Sequence, residues 1–207
     1  MMDSSSIHLC GQNVSRETFE RLELFEALLK KWNGSINLVS KNSLDDIWER
    51  HIADSIQVFR LSGSARSWLD VGSGGGLPGA IVAILAMDEC PEMKVTLIES
   101  DKRKSVFLRT VAREIGATFN VITDRIESAE PQKVDVMSAR AVANLSVLLK
   151  FAERHLDANG FCLFSKGTSW KKEVDVALQK WNMDMEIIPS LTESTAVILK
   201  IGGISRV

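Results

Sequence analysis

The chain has 207 residues, 45% of them hydrophobic, and a formal net charge of −2. That size is one domain, or one domain with an appendage, with enough apolar residues for a full core. The near-neutral balance excludes bulk attraction to nucleic acid, so any RNA contact must come from a local basic patch.

In chain order, residues 1–13 read as frayed. Ser15 is a good N-cap, Val14 can staple to Phe19, and Glu17 lies in the positive first turn of a helix. That helix carries Phe19, Leu22, Phe25, Leu28, Leu29 and Trp32 at helical spacing, and Gly34 stops it. Ser43 is expected to cap a second helix with Leu44, Ile47, Trp48, Ile52, Ile56 and Phe59 as its stripe. Residues 1–63 therefore read as an N-terminal helical extension packed on a main domain, 64–207. From Ser67 the pattern alternates strand and helix, which predicts a mostly parallel sheet with helices on both faces. Strands are expected at 67–71, 94–99, about 119–122, 133–138 and 160–165. Helices are expected at 78–88, from Asp101 to Gly116, from Asn144 to about His155, and at about 169–181. Strands at 184–189 and 195–201 read as an antiparallel edge hairpin. The longest apolar run, Ala80 to Met87, is too short for a bilayer, and the first residues lack the basic and apolar regions of a secretory signal. Cys10, Cys90 and Cys162 are odd in number, far apart and without CxxC spacing. They read as reduced thiols in a cytoplasmic protein with no metal site.

The most informative stretch is Asp70-Val71-Gly72-Ser73-Gly74-Gly75-Gly76-Leu77-Pro78-Gly79. It reads as a strand end, a glycine turn and a helix start, with Pro78 in the first helical turn. Such a helix start attracts an anionic group. Gly74-x-Gly76-x-x-Gly79 matches a dinucleotide fingerprint. However, a dinucleotide fold puts the first glycine directly after the strand. Gly72 holds that place, and Leu77 stands where the third glycine would be needed. The acidic-x-Gly-x-Gly-x-Gly register from Asp70 instead matches the S-adenosyl-L-methionine (SAM) loop of class I methyltransferases, a Rossmann-like fold.

Further residues fall at strand ends, where a doubly wound sheet holds its ligand. Glu99 ends the second strand and can accept ribose hydroxyls, for NAD and SAM alike. Arg125, Ile126 and Glu127 follow the third strand, either beside an adenine or as ordinary loop residues. Arg140 ends the fourth strand, facing a cofactor anion or an RNA phosphate. Lys166 ends the fifth, on the same rim. Lys102, Arg103, Lys104, Arg109 and Arg113 form a basic helix side, which reads first as a wet face. His51, Asp54 and Ser55 share one helix face, and a lone histidine near an apolar stripe is more often a packing residue than a catalyst.

Certain motifs are missing. The chain has no asparagine-proline-proline-aromatic motif, its Cys162 lies mid-strand, and no glutamate-histidine pair reads as a general base. A SAM enzyme built this way needs an acceptor that is already nucleophilic, such as guanine N7. No catalytic acid or base is then expected, and proximity does the work.

Several motifs resemble, in order, one family: the small-subunit rRNA guanine-N7 methyltransferases called RsmG, or GidB. They are Trp32-Asn33 with Ile36-Asn37-Leu38-Val39, Arg50-His51-Ile52-x-Asp54-Ser55, the loop ending Leu77-Pro78-Gly79, and Leu97-Ile98-Glu99-Ser100. Lys102-Arg103-Lys104-x-x-Phe107-Leu108-Arg109, Arg125-Ile126-Glu127, Ser138-x-Arg140-Ala141 and Lys166-Gly167 complete the set. Gly75, where many members have proline, and Val39, where many have threonine, are mild departures. The resemblance implies SAM contacts at Gly72, Leu77, Ile126, Glu127 and Arg140, to which Gly74 and Glu99 are added from the loop and strand end. It also implies roles near the site for His51, Asp54 and Ser55. Arg125, Arg140 and Lys166 are expected to face RNA, with 16S rRNA or the small ribosomal subunit as partner. Three other readings stay open on the residues: a SAM enzyme acting on protein or a small molecule, a nicotinamide-dependent oxidoreductase, and a SAM-binding assembly module.

Overall fold

The computed structural model describes residues 6–9, 12–40 and 43–207; Cys10 lies outside the described residues. The expected frayed start differs where it is described. β1 (Ser6–Leu9) and β2 (Gln12–Ser15) pair antiparallel, with His8 opposite Asn13 and a 2.9 Å contact between His8 Nδ1 and Asn13 Oδ1. That cross-strand bond and burial of Val14 hold the hairpin. Ser15 caps α1 (Arg16–Asn33) as its sequence predicts, accepting from the Thr18 N–H at 3.0 Å. Ser15 and Thr18 also donate to Asp88, which Arg21 pairs at 2.9 Å, so the first turn of α1 is tied to a later helix.

The second helix departs from expectation. Ser43 does not cap it; its hydroxyl donates to the Ser40 carbonyl at 2.9 Å. Asn33 closes the preceding turn, accepting from the N–H groups of Leu38 and Val39. Helical backbone starts with a π-helical turn, Trp48–Ala53, and runs on as α2 (Asp54–Arg60). Such a wide turn re-aims side chains and recurs at functional sites.

The alternation from Ser67 is realised as β3 (Ser67–Val71), α3 (Gly79–Glu89), β4 (Lys94–Ile98), α4 (Lys102–Ile115) and β5 (Asn120–Ile122). It continues as β6 (Val134–Arg140), α5 (Leu145–His155), β7 (Leu156–Lys166), α6 (Trp170–Ala177), β8 (Trp181–Pro189) and β9 (Val197–Arg206). Asp101 and Asn144 cap α4 and α5 as expected, and Gly116 ends α4 with φ 73°. α6 is shorter than its sequence pattern, because β8 already begins at Trp181. The sheet order is β5-β4-β3-β6-β7-β9-β8, with β9 alone running against the other strands, antiparallel to β7 and to β8. The strand order reverses beside β3, at the gap between the loops after β3 and β6, and that places a ligand crevice there.

Two apolar clusters cover the two faces. Trp68, Leu97, Val136 and Ile198 join one with Ile81, Ile84, Phe107 and Leu108. Leu69, Val71, Met137 and Phe164 join the other with Leu145, Leu148 and Leu149. Val14, Leu22, Phe25, Ile52 and Ile56 belong to the first cluster, so the N-terminal elements share a core with the sheet. Cys162 is fully buried in β7, and burial pushes its thiol well up; it is no nucleophile.

Candidate cofactor and acceptor site

The loop after β3 is pinned from beside and from below. The N–H groups of Gly72 and Ser73 donate to the Ile98 carbonyl at 2.8 and 3.2 Å. Under the loop, Trp68 Nε1 donates to Ser138 Oγ, which donates to Asp70 Oδ1 at 2.6 Å. Burial pushes Asp70 up to about 6, opposed first by the hydrogen bond from Ser138; its other carboxyl oxygen is buried without a partner. Pro78 precedes the first residue of α3 and is not in its first turn. The sequence suggested a ligand anion at this helix start. The structure puts the chain's own Asp70 there, which is why Gly79 has to be glycine: a Cβ on it would stand 2.6–2.9 Å from the Asp70 side chain.

Three cavities meet where β3 and β6 end. One, of about 360 Å³, is walled by Leu38, Ser40, Gly72–Gly75, Leu77, Lys104 and Arg140. A second, of about 330 Å³, is walled by Ile98, Ser100, Arg125, Ile126, Glu127, Val142 and Phe151. Gly72 lies on both walls. The third, of about 440 Å³, lies between the π-helical turn, the ends of β6 and β7, and the segment before β9. Residues 141–143 border all three, with Ala141 in the left-handed region at φ 54°. Val142 crosses the junction and packs on Gly72 so closely that a Cβ there would lie 2.6 Å from Val142 Cγ2. Nothing in the sequence singled out Val142.

Of the residues predicted from sequence, Gly72, Gly74, Leu77 and Arg140 gather around the first cavity, and Arg125, Ile126 and Glu127 around the second. Glu99 is on none of the three walls. Its carboxylate accepts from the Gly74 N–H at 2.8 Å and the Asp101 N–H at 2.7 Å, clamping the glycine loop to the start of α4. Each oxygen keeps a second lone pair for a ribose hydroxyl. The segment holding Ile126 is itself held from α5. His155 donates through Nε2 to the Ile126 carbonyl at 2.9 Å, and Arg154 donates twice to the Ala129 carbonyl. Neither residue stands out in the sequence, although a histidine buried at a helix end needs a hydrogen-bond partner.

His51 and Asp54 reach the third cavity, whereas Ser55 does not: it is buried and donates to the His51 carbonyl at 2.7 Å. Arg140 joins the two halves of the site. One terminal nitrogen donates to the Arg50 carbonyl at 3.2 Å and lies 3.6 Å from Asp54, and the other contacts His51 Nδ1. Burial and the charge of Arg140 lower the His51 pKa to about 4, leaving the ring neutral. Burial pushes Asp54 up, opposed by Arg140 and by Ser190, whose hydroxyl donates at 3.2 Å. Lys166 is not a free rim cation. It is 8% exposed and spends two of its three donors on the Ala143 carbonyl and Glu173, both at 2.8 Å. It thereby fixes the end of the 141–143 segment. Arg50 and Arg125 remain exposed at the rims.

Among the described residues, no group of three or more His, Cys, Asp or Glu is placed to hold a metal ion. No helix there is long and apolar enough to cross a membrane. The fold matches a TehB-like SAM-dependent methyltransferase from Corynebacterium glutamicum at TM-score 0.58 and 12% identity, over 87% of this chain and 98% of that one. It matches cofactor-bound Rv0187 from MTB at TM-score 0.62 and 13% identity, over 88% and 89%. These show a class I methyltransferase fold. Sequence relatives are much nearer. A protein of Ruegeria sp. (strain TM1040) called ribosomal RNA small subunit methyltransferase G is 57% identical over 94% of this chain and 95% of its own length. One of the same name from Jannaschia sp. (strain CCS1) is 44% identical over 98% and 97%. The family model for rRNA small subunit methyltransferase G, GidB, matches residues 18–198. The chain therefore belongs to the GidB family, rRNA small subunit methyltransferase G.

Proposed function

We propose that this chain transfers a methyl group from SAM to N7 of a guanosine in 16S rRNA of the small ribosomal subunit. The observation that carries this reading is the meeting of three cavities at the ends of β3 and β6, in a chain of this family. The residues present fit SAM. The second cavity offers an adenine a slot of Ile98, Ile126, Val142 and Phe151 with Glu127 at its side. The first offers a methionine end the glycine backbone, Leu77 and three cations, Arg50, Lys104 and Arg140. Gly72 and Gly74 line the path, and Glu99 holds the loop, with lone pairs left that would accept a ribose hydroxyl. The sulfonium supplies the reactive methyl.

The chain's own residues bind, orient and exclude water. N7 of guanine carries a free lone pair, so no proton has to leave before attack and no base or metal is needed. What remains is alignment of N7 with the methyl group. Arg125 at the rim meets RNA phosphate; Arg140, committed to the Arg50 carbonyl, Asp54 and His51, is not the free phosphate contact its sequence position suggested, and Lys166 acts one step back by holding Ala143. Such a reaction belongs in the cytoplasm, with the small subunit or its rRNA. Calorimetry with S-adenosylhomocysteine and with NAD tests the cofactor, and NAD binding alone would sink the reading. Labelled-methyl transfer to unmodified 16S rRNA or 30S particles tests the acceptor; cofactor binding without transfer would make the chain an assembly module.

A further inference from the structure

The third cavity, of about 440 Å³, is within the range of small-ligand sites and shares Arg50, His51, Arg140 and Ala141 with the methionine-side cavity. A group seated in it therefore adjoins the place proposed for the methyl donor. Part of its wall is the loop between β8 and β9, through Ser190, Thr192, Glu193 and Ala196. That loop is closed on itself. The Ser190 N–H donates to the Ala196 carbonyl and the Ala196 N–H to the Glu193 carbonyl, both at 3.0 Å, and Ser190 Oγ accepts from the N–H groups of Thr192 and Glu193 at 3.2 Å. The sheet fixes its two ends, where Pro189 pairs with Val197. Side chains from the π-helical turn and α2 fix the rest. Arg50 lies 3.9 Å from Glu193, but both are half exposed, and such a pair holds little. Ser190 donates to Asp54 at 3.2 Å. Gln57 grips harder. It is buried, its Nε2 donates to the Pro189 carbonyl at 2.8 Å, and its Oε1 accepts from the Leu191 N–H at 2.9 Å. One amide thus satisfies the backbone on both sides of Ser190. The Leu191 side chain is exposed and gives the loop no apolar anchor there.

We propose that the third cavity receives the acceptor nucleotide and that Gln57 is a positioning residue for methyl transfer, fixing the β8–β9 loop against which that nucleotide rests. This rests on the guanine-N7 reading above, which gives the other two cavities to the cofactor. Gln57 lines none of the three cavities, so it reaches the reaction only through the backbone of Pro189 and Leu191. Attack by N7 needs no proton transfer, and the rate then depends on alignment. A wall displaced by about 1 Å can cost up to roughly a hundredfold. Gln57 carries no signal of this role in the sequence, because its partners lie more than 130 residues along the chain.

The test compares the full chain with Gln57→Met, which keeps the length of the side chain and removes both hydrogen bonds. Hydrogen exchange read by mass spectrometry is expected to speed up about tenfold in peptides covering residues 189–197 and to stay unchanged in the sheet. Single-turnover methyl transfer to unmodified 30S particles is expected to slow about tenfold. The particle concentration giving half the maximal rate, and S-adenosylhomocysteine affinity by calorimetry, are each expected to stay within about threefold of wild type. Leu191→Pro removes the same N–H from the loop side and leaves α2 intact, so it carries the test if Gln57→Met does not fold. It is expected to slow transfer as well, and to add little to Gln57→Met when the two are combined. Faster exchange in the loop with an unchanged rate overturns the proposal, and so does unchanged exchange. A fall in S-adenosylhomocysteine affinity matching the fall in rate also overturns it, giving Gln57 to the cofactor site or to the fold. If wild type puts no methyl on guanine N7, the functional reading has failed instead, and the exchange data still show whether Gln57 holds the loop.

Discussion

Gly79 presses its bare Cα onto the carboxylate of Asp70, so that the only room at the start of α3 is for a hydrogen atom. This contact buries a carboxylate under the glycine loop and gives the loop a pH dependence. The folded pKa of Asp70, about 6, is above its ordinary value of 3.8. A raised acid binds its proton more tightly in the folded state, so its stabilising effect is complete below pH 3.8 and is lost as pH rises through 6. The difference amounts to about 3 kcal/mol. Wild type is expected to lose that much unfolding free energy relative to Asp70→Asn between acid and neutral pH. Denaturant titrations at several pH values check it, and parallel curves for the two proteins would refute it.

The contact of Val142 with Gly72 predicts a coupled pair. Gly72 has φ 64°, so Gly72→Ala costs about 1–2 kcal/mol in backbone alone and also collides with Val142. Calorimetry with S-adenosylhomocysteine is expected to show at least tenfold weaker binding. Adding Val142→Ala is expected to recover the steric part only. Equal affinities for Gly72→Ala and the double variant would show that Val142 does not guard the crossing.

Support of the second cavity from α5 predicts a change in cofactor affinity with little change in turnover. His155→Leu removes the donor to the Ile126 carbonyl, and S-adenosylhomocysteine affinity is expected to fall about three- to tenfold. Turnover at saturating SAM is expected to stay within about twofold. His155→Gln, with a donor at similar reach, is expected to stay near wild type. A loss in turnover at unchanged affinity would place His155 elsewhere in the mechanism.

Methyl transfer is expected to be nearly flat from about pH 6.5 to 9, because N7 needs no base and His51 stays neutral with a pKa of about 4. The rate–pH profile on 30S particles checks this. A steep rise assigned to one histidine would contradict it.

Much of the fold was legible because strand and helix alternate with clean caps. Ser15, Asp101, Asn144 and Gly116 each sit where their local chemistry puts them. The second helix was misread at its start because Ser43 has a nearer partner, the Ser40 carbonyl, and local hydrogen bonds of this kind compete with capping. In the site, glycines and strand ends were readable from their spacing. Roles that depend on a partner far along the chain were not. Glu99 reads in the sequence as a strand-end acid and Lys166 as a rim cation, but the Gly74 N–H occupies the one and Glu173 the other. Val142 carries no chemical signal at all, and its place follows only from the turn at Ala141. Leu77, which spoils a dinucleotide fingerprint, lines the methionine-side cavity.

The most direct test is to incubate the chain with labelled SAM and unmodified 16S rRNA or 30S particles, then cleave the RNA chemically at 7-methylguanine. Label in the RNA with strand scission at one guanosine is the predicted result. Label in protein, on another base, or at a guanosine that resists that cleavage would contradict methylation at N7.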